Sequence, residues 1–367
     1  MNPIVEKVYQ IGIIPVIAFN SVDEALPLCK ALAEGGLPAA EVTFRTACAE
    51  ECIRKIHEEM PEMLLGAGTV LTCEQADRAM AAGASFIVAP GFDPEVCKHV
   101  IDKGGIMMPG TASAGEMQQA MNMGCEAVVI MGCDTAGSAA AIEELGAAGI
   151  PVIIAGRKIE AKEDSYYTYV AGDHHEAGKA QAGYLNGLLE KDPALELNVA
   201  FIYGQSGSSS VQQRYEGFES DCLNGQYADR VHLIASQYAE FDTQKAYDIT
   251  TDMLTSYENI NCFVTQSDEQ AAGIINAIKA KGGSLDDYIV VSIDCSTTGQ
   301  SYLKSGELDA SVLMAMRQLA VSSADYVEAA LNGETVEKTN QVVGYYQLVT
   351  PETYVEVMKA AGMEPVA

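Results

Sequence analysis

Short runs rich in Val and Ile recur along this chain, each leading into a stretch of helical periodicity, and this alternation restricts the fold more than any other feature. Parallel strands need a crossover connection of a dozen or more residues, which a helix supplies, so the pattern predicts an α/β protein built on parallel sheets. Five such units precede residue 123, with strands over 13–19, 40–44, 64–69, 86–89 and 106–109. Ser21, Thr72 and Asp93 mark helix starts, and Asp93 is followed by Pro94 at the first helical position. Three more strands follow over 127–131, 151–155 and 167–171. Five and three make eight, the number that closes a (β/α)8 barrel, with an open doubly wound sheet as the alternative.

After Asp173 the alternation starts afresh, with strands over 198–203, 231–235, 263–265 and 289–293 between helical patterns, which predicts a second, Rossmann-like sheet. The expected fold is therefore a barrel-like N-terminal domain over 1–172 followed by a Rossmann-like lobe over 173–367. Within the first domain, 1–123 and 124–172 differ in character. At 367 residues the chain suits about two domains of ordinary size.

A formal net charge of −29 argues against nucleic acid as a partner, because binding a polyanion relies on Lys and Arg releasing counterions. The first ten residues lack a basic segment followed by an apolar one, and no apolar run approaches a membrane span. The expectation is a cytoplasmic protein with no membrane partner. The ten cysteines show no paired spacing, Cys48 and Cys52 being four apart as on a helix, so they are expected to be reduced thiols buried as small hydrophobes. No metal or cofactor is expected.

Four motifs fall at or near the C-terminal ends of the predicted N-terminal strands, the face where barrels place active sites: Glu41-Val-Thr-Phe-Arg45-Thr46, Gly66-Ala-Gly-Thr69-Val70, Ala89-Pro90-Gly91 and Pro109-Gly110-Thr111. In that order they resemble the 2-keto-3-deoxy-6-phosphogluconate and 4-hydroxy-2-oxoglutarate aldolases, over roughly the first third of the chain. The resemblance implies a Schiff-base lyase acting on a keto acid, with Glu41 shuttling protons and Arg45 and Thr69 holding a carboxylate. The same resemblance puts the amine nucleophile at Val129, where this chain has a hydrocarbon, so covalent capture of a carbonyl lacks its first step. Lys158 is the alternative amine, but it precedes the mostly polar run 160–164, a poor setting for a desolvated nucleophile. Glu41, Arg45 and Thr69 are thus expected to be idle.

From Gly124 onward the text changes. Ala127-Val-Val-Ile-Met-Gly-Cys-Asp134, Ala148-Gly-Ile-Pro-Val-Ile-Ile-Ala-Gly-Arg157, Val170-Ala-Gly-Asp173, the segment from Gly204 to Phe218 and Val291-Ser-Ile-Asp294 resemble type I periplasmic sugar-binding proteins and lactose-repressor-type effector domains. That resemblance covers nearly two thirds of the chain. It implies a ligand held by planar polar side chains and aromatic faces, with Arg157, Asp173, Arg214, Phe241, Ser267 and Asp294 as the ligand-binding residues. Gly156, Met131, Ser267 and Met314 depart from the polar residues common at their positions, which leaves fewer hydroxyl partners. Arg214 has an alternative reading as a surface ion pair with Glu216, Glu219 or Asp221.

The loop 204–210 lacks the Lys-Ser/Thr ending of a phosphate cradle, and adjacent residues such as Asp173, His174, His175 and Glu176 diverge by about 100° per step on a helix, so neither a nucleotide nor a zinc ion is expected. The sequence therefore points to non-catalytic binding of a sugar or similar small polar metabolite. The alternatives are residual pyruvate-type aldolase activity, or an engineered fold chimera with neither activity. Self-association into a homo-oligomer is open, because the helical segment 318–331 crosses, in the binding-protein pattern, to a lobe that is replaced here.

Overall fold

In a computed structural model, described over residues 3–11, 14–111, 116–117, 127–132, 135–342, 346–362 and 365–366, the chain divides into two compact units. One comprises 1–126 with 147–150, the other 127–146 with 151–367. The changeover at Gly124, Asp134 of the second motif set and the first residue of the strand expected over 13–19 lie outside the described residues.

The first unit is a five-stranded parallel sheet in chain order: β1 (Val16–Ile17), β2 (Ala39–Thr43), β3 (Leu64–Gly68), β4 (Phe86–Ala89) and β5 (Met107–Pro109). The connecting helices start where the caps predicted: Thr72 accepts the Gln75 N–H, and Asp93 accepts from Glu95 and Val96 ahead of the helix Pro94–Asp102. Ser21 caps a short 3-10 turn. The helices bury Cys29, Ile53, Ile56 and Val100 against Val42, Leu65 and Ile87 of the strands. At another face, Ile4, Val8 and Ile11, spaced to share one side of the helix Pro3–Ile11, pack on Ala39, Leu64 and Phe86.

The second unit carries two sheets. β6 (Val128–Ile130), β7 (Val152–Ala155), β8 (Thr168–Ala171) and β14 (Thr339–Gln341) form a parallel four-stranded sheet in the order β14-β8-β7-β6. The larger sheet has the order β10-β9-β11-β12-β13-β15, from β9 (Leu197–Tyr203), β10 (Val231–Tyr238), β11 (Cys262–Thr265), β12 (Ile289–Asp294), β13 (Ala310–Met314) and β15 (Tyr346–Val349). Its first five strands are parallel, and β15 closes the edge antiparallel to β13. Two apolar cores, one around Phe263 and Ile275 and one around Phe201 and Phe218, include residues of this sheet. The helix Met316–Leu331 lays Leu319 against Ile153, Ala155 and Val170, so the segment whose packing surface the sequence left open packs on the four-stranded sheet.

The fold is mixed α/β on parallel sheets, as the alternation predicts. Among the described residues, the five N-terminal strands and the three that follow belong to different sheets, and no eight-stranded closure is formed. The reason is a long-range pairing. The β6, β7 and β8 strands take β14, from far along the chain, as a fourth partner, which a count of consecutive βα units does not anticipate. None of the helices among the described residues is long and apolar enough to cross a membrane.

Candidate functional site

In the first unit, the three aldolase-like residues meet at the ends of neighbouring strands. Arg45 donates from Nε to the Thr69 hydroxyl at 3.2 Å. Glu41, on β2, lies across β3 so closely that a Cβ on Gly68 would stand 1.9 Å from Oε1, which explains a glycine there. Burial raises the Glu41 carboxyl above the usual range, opposed by the charge of Arg45. Thr69 holds a left-handed φ of 57°, a conformation that costs a non-glycine residue energy and clusters at functional sites. Val129 stands elsewhere, on β6 of the four-stranded sheet, and is 49% exposed. Lys158 is exposed, its backbone bonded to the Ser209 hydroxyl.

In the second unit, a cleft of about 240 Å³ opens where the C-terminal ends of both parallel sheets converge. That is the place where open α/β sheets bind ligands, because the strand ends feed loops and helix N-termini into one crevice. From the four-stranded sheet come Met131 after β6, Gly156 and Arg157 after β7, and His174 after β8. The six-stranded sheet contributes Ser210 and Arg214 after β9, Phe241 after β10, Ser267 and Glu269 after β11, Asp294 ending β12 and Met314 ending β13, and Met316 follows. Five of the six expected ligand-binding residues, Arg157, Arg214, Phe241, Ser267 and Asp294, are thereby brought together. Asp173 is not on the lining. Its carboxylate caps the helix His174–Lys191 through the His175 N–H, and also contacts the His175 ring, which reaches Glu216 on its other side.

Arg214 is 4% exposed, on the second turn of the helix Ser209–Phe218. It forms none of the surface ion pairs considered for it. Nη1 donates to the Gln266 carbonyl at 2.9 Å and Nη2 to the Met314 thioether at 2.9 Å, the guanidinium also bonds the Tyr346 hydroxyl, and Nε has no acceptor. Arg157 lies over the Phe241 ring at 5.6 Å and reaches the Gly132 carbonyl. Gly204 permits that ring position, since a Cβ there would come within 2.2 Å of Phe241.

His174 was missed as a cleft residue because its neighbours drew a metal reading. It is 3% exposed, and its Nε2 contacts the Gly156 carbonyl. A carbonyl only accepts, so Nε2 carries the proton, Nδ1 accepts, and the Tyr346 hydroxyl donates to it. A bonded chain thus runs from Arg214 through Tyr346 and His174 to Gly156, linking the two sheets beneath the cleft. Burial lowers the His174 imidazole to about 4, with the charge of Arg214 acting in the same direction.

Asp294 ends β12 with a φ of 117°, and Cys295 follows at 50°, while Glu240 and Phe241 across the cleft take 56° and 57°. Of the five non-glycine residues with positive φ among the described residues, four therefore flank the cleft and the fifth is Thr69. Burial raises the Asp294 carboxyl, and Arg214 pulls it partly back. The turn after Asp294 is held by the fully buried Asp268, which accepts from the Ser296 N–H at 2.6 Å and from the hydroxyls of Ser292 and Ser311. The Asp268 N–H in turn supports Asp294.

The sequence model of the KDPG and KHG aldolase family matches residues 4–154, and that of the periplasmic binding protein domain matches 97–335, well over half of the chain. A 2-dehydro-3-deoxy-phosphogluconate aldolase of Treponema pallidum is 43% identical over 145 residues, covering 40% of this chain and 69% of that enzyme. The chain belongs to both families. The fusion spans about two thirds of the length of such aldolases, the one from Haemophilus influenzae being 38% identical with 67% covered. Two solved structures share the fold of its larger part. A galactofuranose binding protein superposes with a TM-score of 0.62 at 22% identity, covering 72% of the fusion and 90% of that chain. A solute binding protein from Bacillus halodurans with bound myo-inositol reaches 0.63 at 25% identity, covering 76% and 99%.

Proposed function

We propose that the fusion binds a sugar or similar small polar metabolite in the cleft of its second unit and does not transform it. The observation that carries this reading is the convergence of Arg157, Arg214, Ser267 and Asp294 around one small cavity with the face of Phe241 beside them. A guanidinium and a carboxylate each engage vicinal hydroxyls in a bidentate manner, and an aromatic face covers the apolar side of a sugar ring. The strained turns on both sides favour the same reading, since such conformations persist where a ligand clamp requires them. The description of one similar structure as a galactofuranose binding protein, and the myo-inositol bound in the other, support it further.

The aldolase-like unit is read as non-catalytic. Carbonyl capture needs a desolvated amine at the strand end. The family pattern leads to Val129, and the substitute Lys158 is exposed. The second reading, keto-acid cleavage by Glu41 with Arg45 and Thr69, is favoured by the Arg45–Thr69 bond and the raised Glu41 carboxyl. Titration calorimetry against a panel of neutral sugars, polyols and sugar acids tests the first reading, which fails if no member gives heat. Borohydride reduction in the presence of pyruvate tests the second: no adduct is expected, and a lysine carrying a reduced imine by mass spectrometry would establish the aldolase instead.

A further inference from the structure

Arg214 is a buried cation whose partners are all neutral. They are a carbonyl, a phenol and a thioether, the last a weak acceptor, and Nε has nothing. A guanidinium in that state lacks the counter-charge that makes burial of an ion tolerable. Asp294 and Glu269 also line the cavity, but neither carboxylate is ion-paired with the guanidinium among the described residues, and Glu269 is exposed at the edge. Arg157 adds a second positive charge to the same cavity.

The backbone adds to this balance. Four helices begin at the cleft. Those starting at His174 and Asp268 are capped by Asp173 and Ser267 and carry acidic residues in the first turn. The helices Ser209–Phe218 and Met316–Leu331, whose Ser210 and Met316 line the cavity, have neither a capping side-chain bond nor an acid in the first turn. Their N-terminal partial positive charges are therefore not offset by their own side chains. Meanwhile Met131, Gly156 and Met314 offer no strong hydrogen-bonding partner to additional hydroxyls.

We infer that the ligand of this cleft is a sugar acid, whose carboxylate is taken by Arg214 and whose hydroxyls face Asp294 and Arg157. The inference rests on the reading of the cleft as a binding site and narrows it from sugars in general to their anionic acids. A carboxylate supplies both the missing acceptor and the missing charge, which a neutral hydroxyl cannot do. Selectivity follows because a carboxylate gives this desolvated cation a charge-assisted, bidentate bond that a neutral hydroxyl does not.

Calorimetry on the full chain at pH 7.5 with gluconate against glucose, and galactonate against galactose, decides it. At least one acid is expected to bind tenfold or more tighter than its neutral parent. Equal or tighter binding of the neutral member in both pairs overturns the inference and leaves the binding reading standing. Silence from all four compounds overturns the inference, and silence from the whole panel above removes the binding reading with it. Met314→Gln, which offers Arg214 an amide oxygen in place of sulfur, is expected to narrow the acid-to-neutral ratio. An unchanged ratio in a variant whose circular dichroism and melting match the parent overturns the assignment of the carboxylate to Arg214.

Discussion

His174 shows how one side chain couples protonation to the cleft. Its neutral form is the one that accepts from Tyr346 while donating to Gly156, and burial lowers its pKa from 6.5 to about 4. Because the unfolded chain binds this proton more readily than the folded one, the stabilisation is fully present above pH 6.5 and is lost as pH falls toward 4. Asp294 acts with the opposite sign: its raised carboxyl favours the folded state as pH falls below the raised value. The two are separated by comparing the fusion with His174→Gln in denaturant. The stability advantage of histidine over glutamine is expected to grow by a few kcal/mol between pH 4 and 6.5, given about 1.4 kcal/mol per pKa unit. The His174 ring resonance should correspondingly show no protonation at pH 5 in NMR, and a midpoint near 6.5 would contradict the buried, neutral assignment.

At the scale of elements, the helix carrying Arg214 is positioned by close approach. A Cβ on Gly178 of the helix His174–Lys191 would lie 1.9 Å from the Arg214 carbonyl oxygen, and one on Gly217 would lie 2.1 Å from that of His175. The two helices therefore touch backbone to backbone. Gly178→Ala is expected to lower stability by about 1–3 kcal/mol, the usual cost of overpacking, and to weaken ligand binding by moving Arg214; denaturant midpoints and calorimetry read the two effects. Asp268 plays the corresponding part for the strained turn after β12. Asp268→Asn replaces one acceptor oxygen with a donor facing the Ser296 N–H or the serine hydroxyls. A loss of about 1–3 kcal/mol is expected in urea unfolding, together with weaker binding, since a buried donor loses its acceptor. The glycines and Asp268 were not singled out in the sequence because spacing along one helix does not show which helix lies against it.

For the whole molecule, the division into two units, each with its own buried cluster, predicts two calorimetric unfolding transitions. A cleft ligand is expected to raise only the one belonging to 127–146 and 151–367, by mass action on the folded state. A single transition shifted in full by the ligand would show the units to be cooperative. The α/β class, every strand up to β12, the two family patterns and five cleft residues were readable from the sequence, because period-two and period-3.6 apolar patterns and short motifs are local properties of the chain. The partners of β6 to β8, the packing of Leu319 beneath them, and the bonded chain from Arg214 to Gly156 were settled by tertiary structure. Those depend on segments such as Thr339–Gln341 and Tyr346 returning across more than a hundred residues, and no local pattern records which distant strand or hydroxyl will complete a sheet or satisfy a buried imidazole.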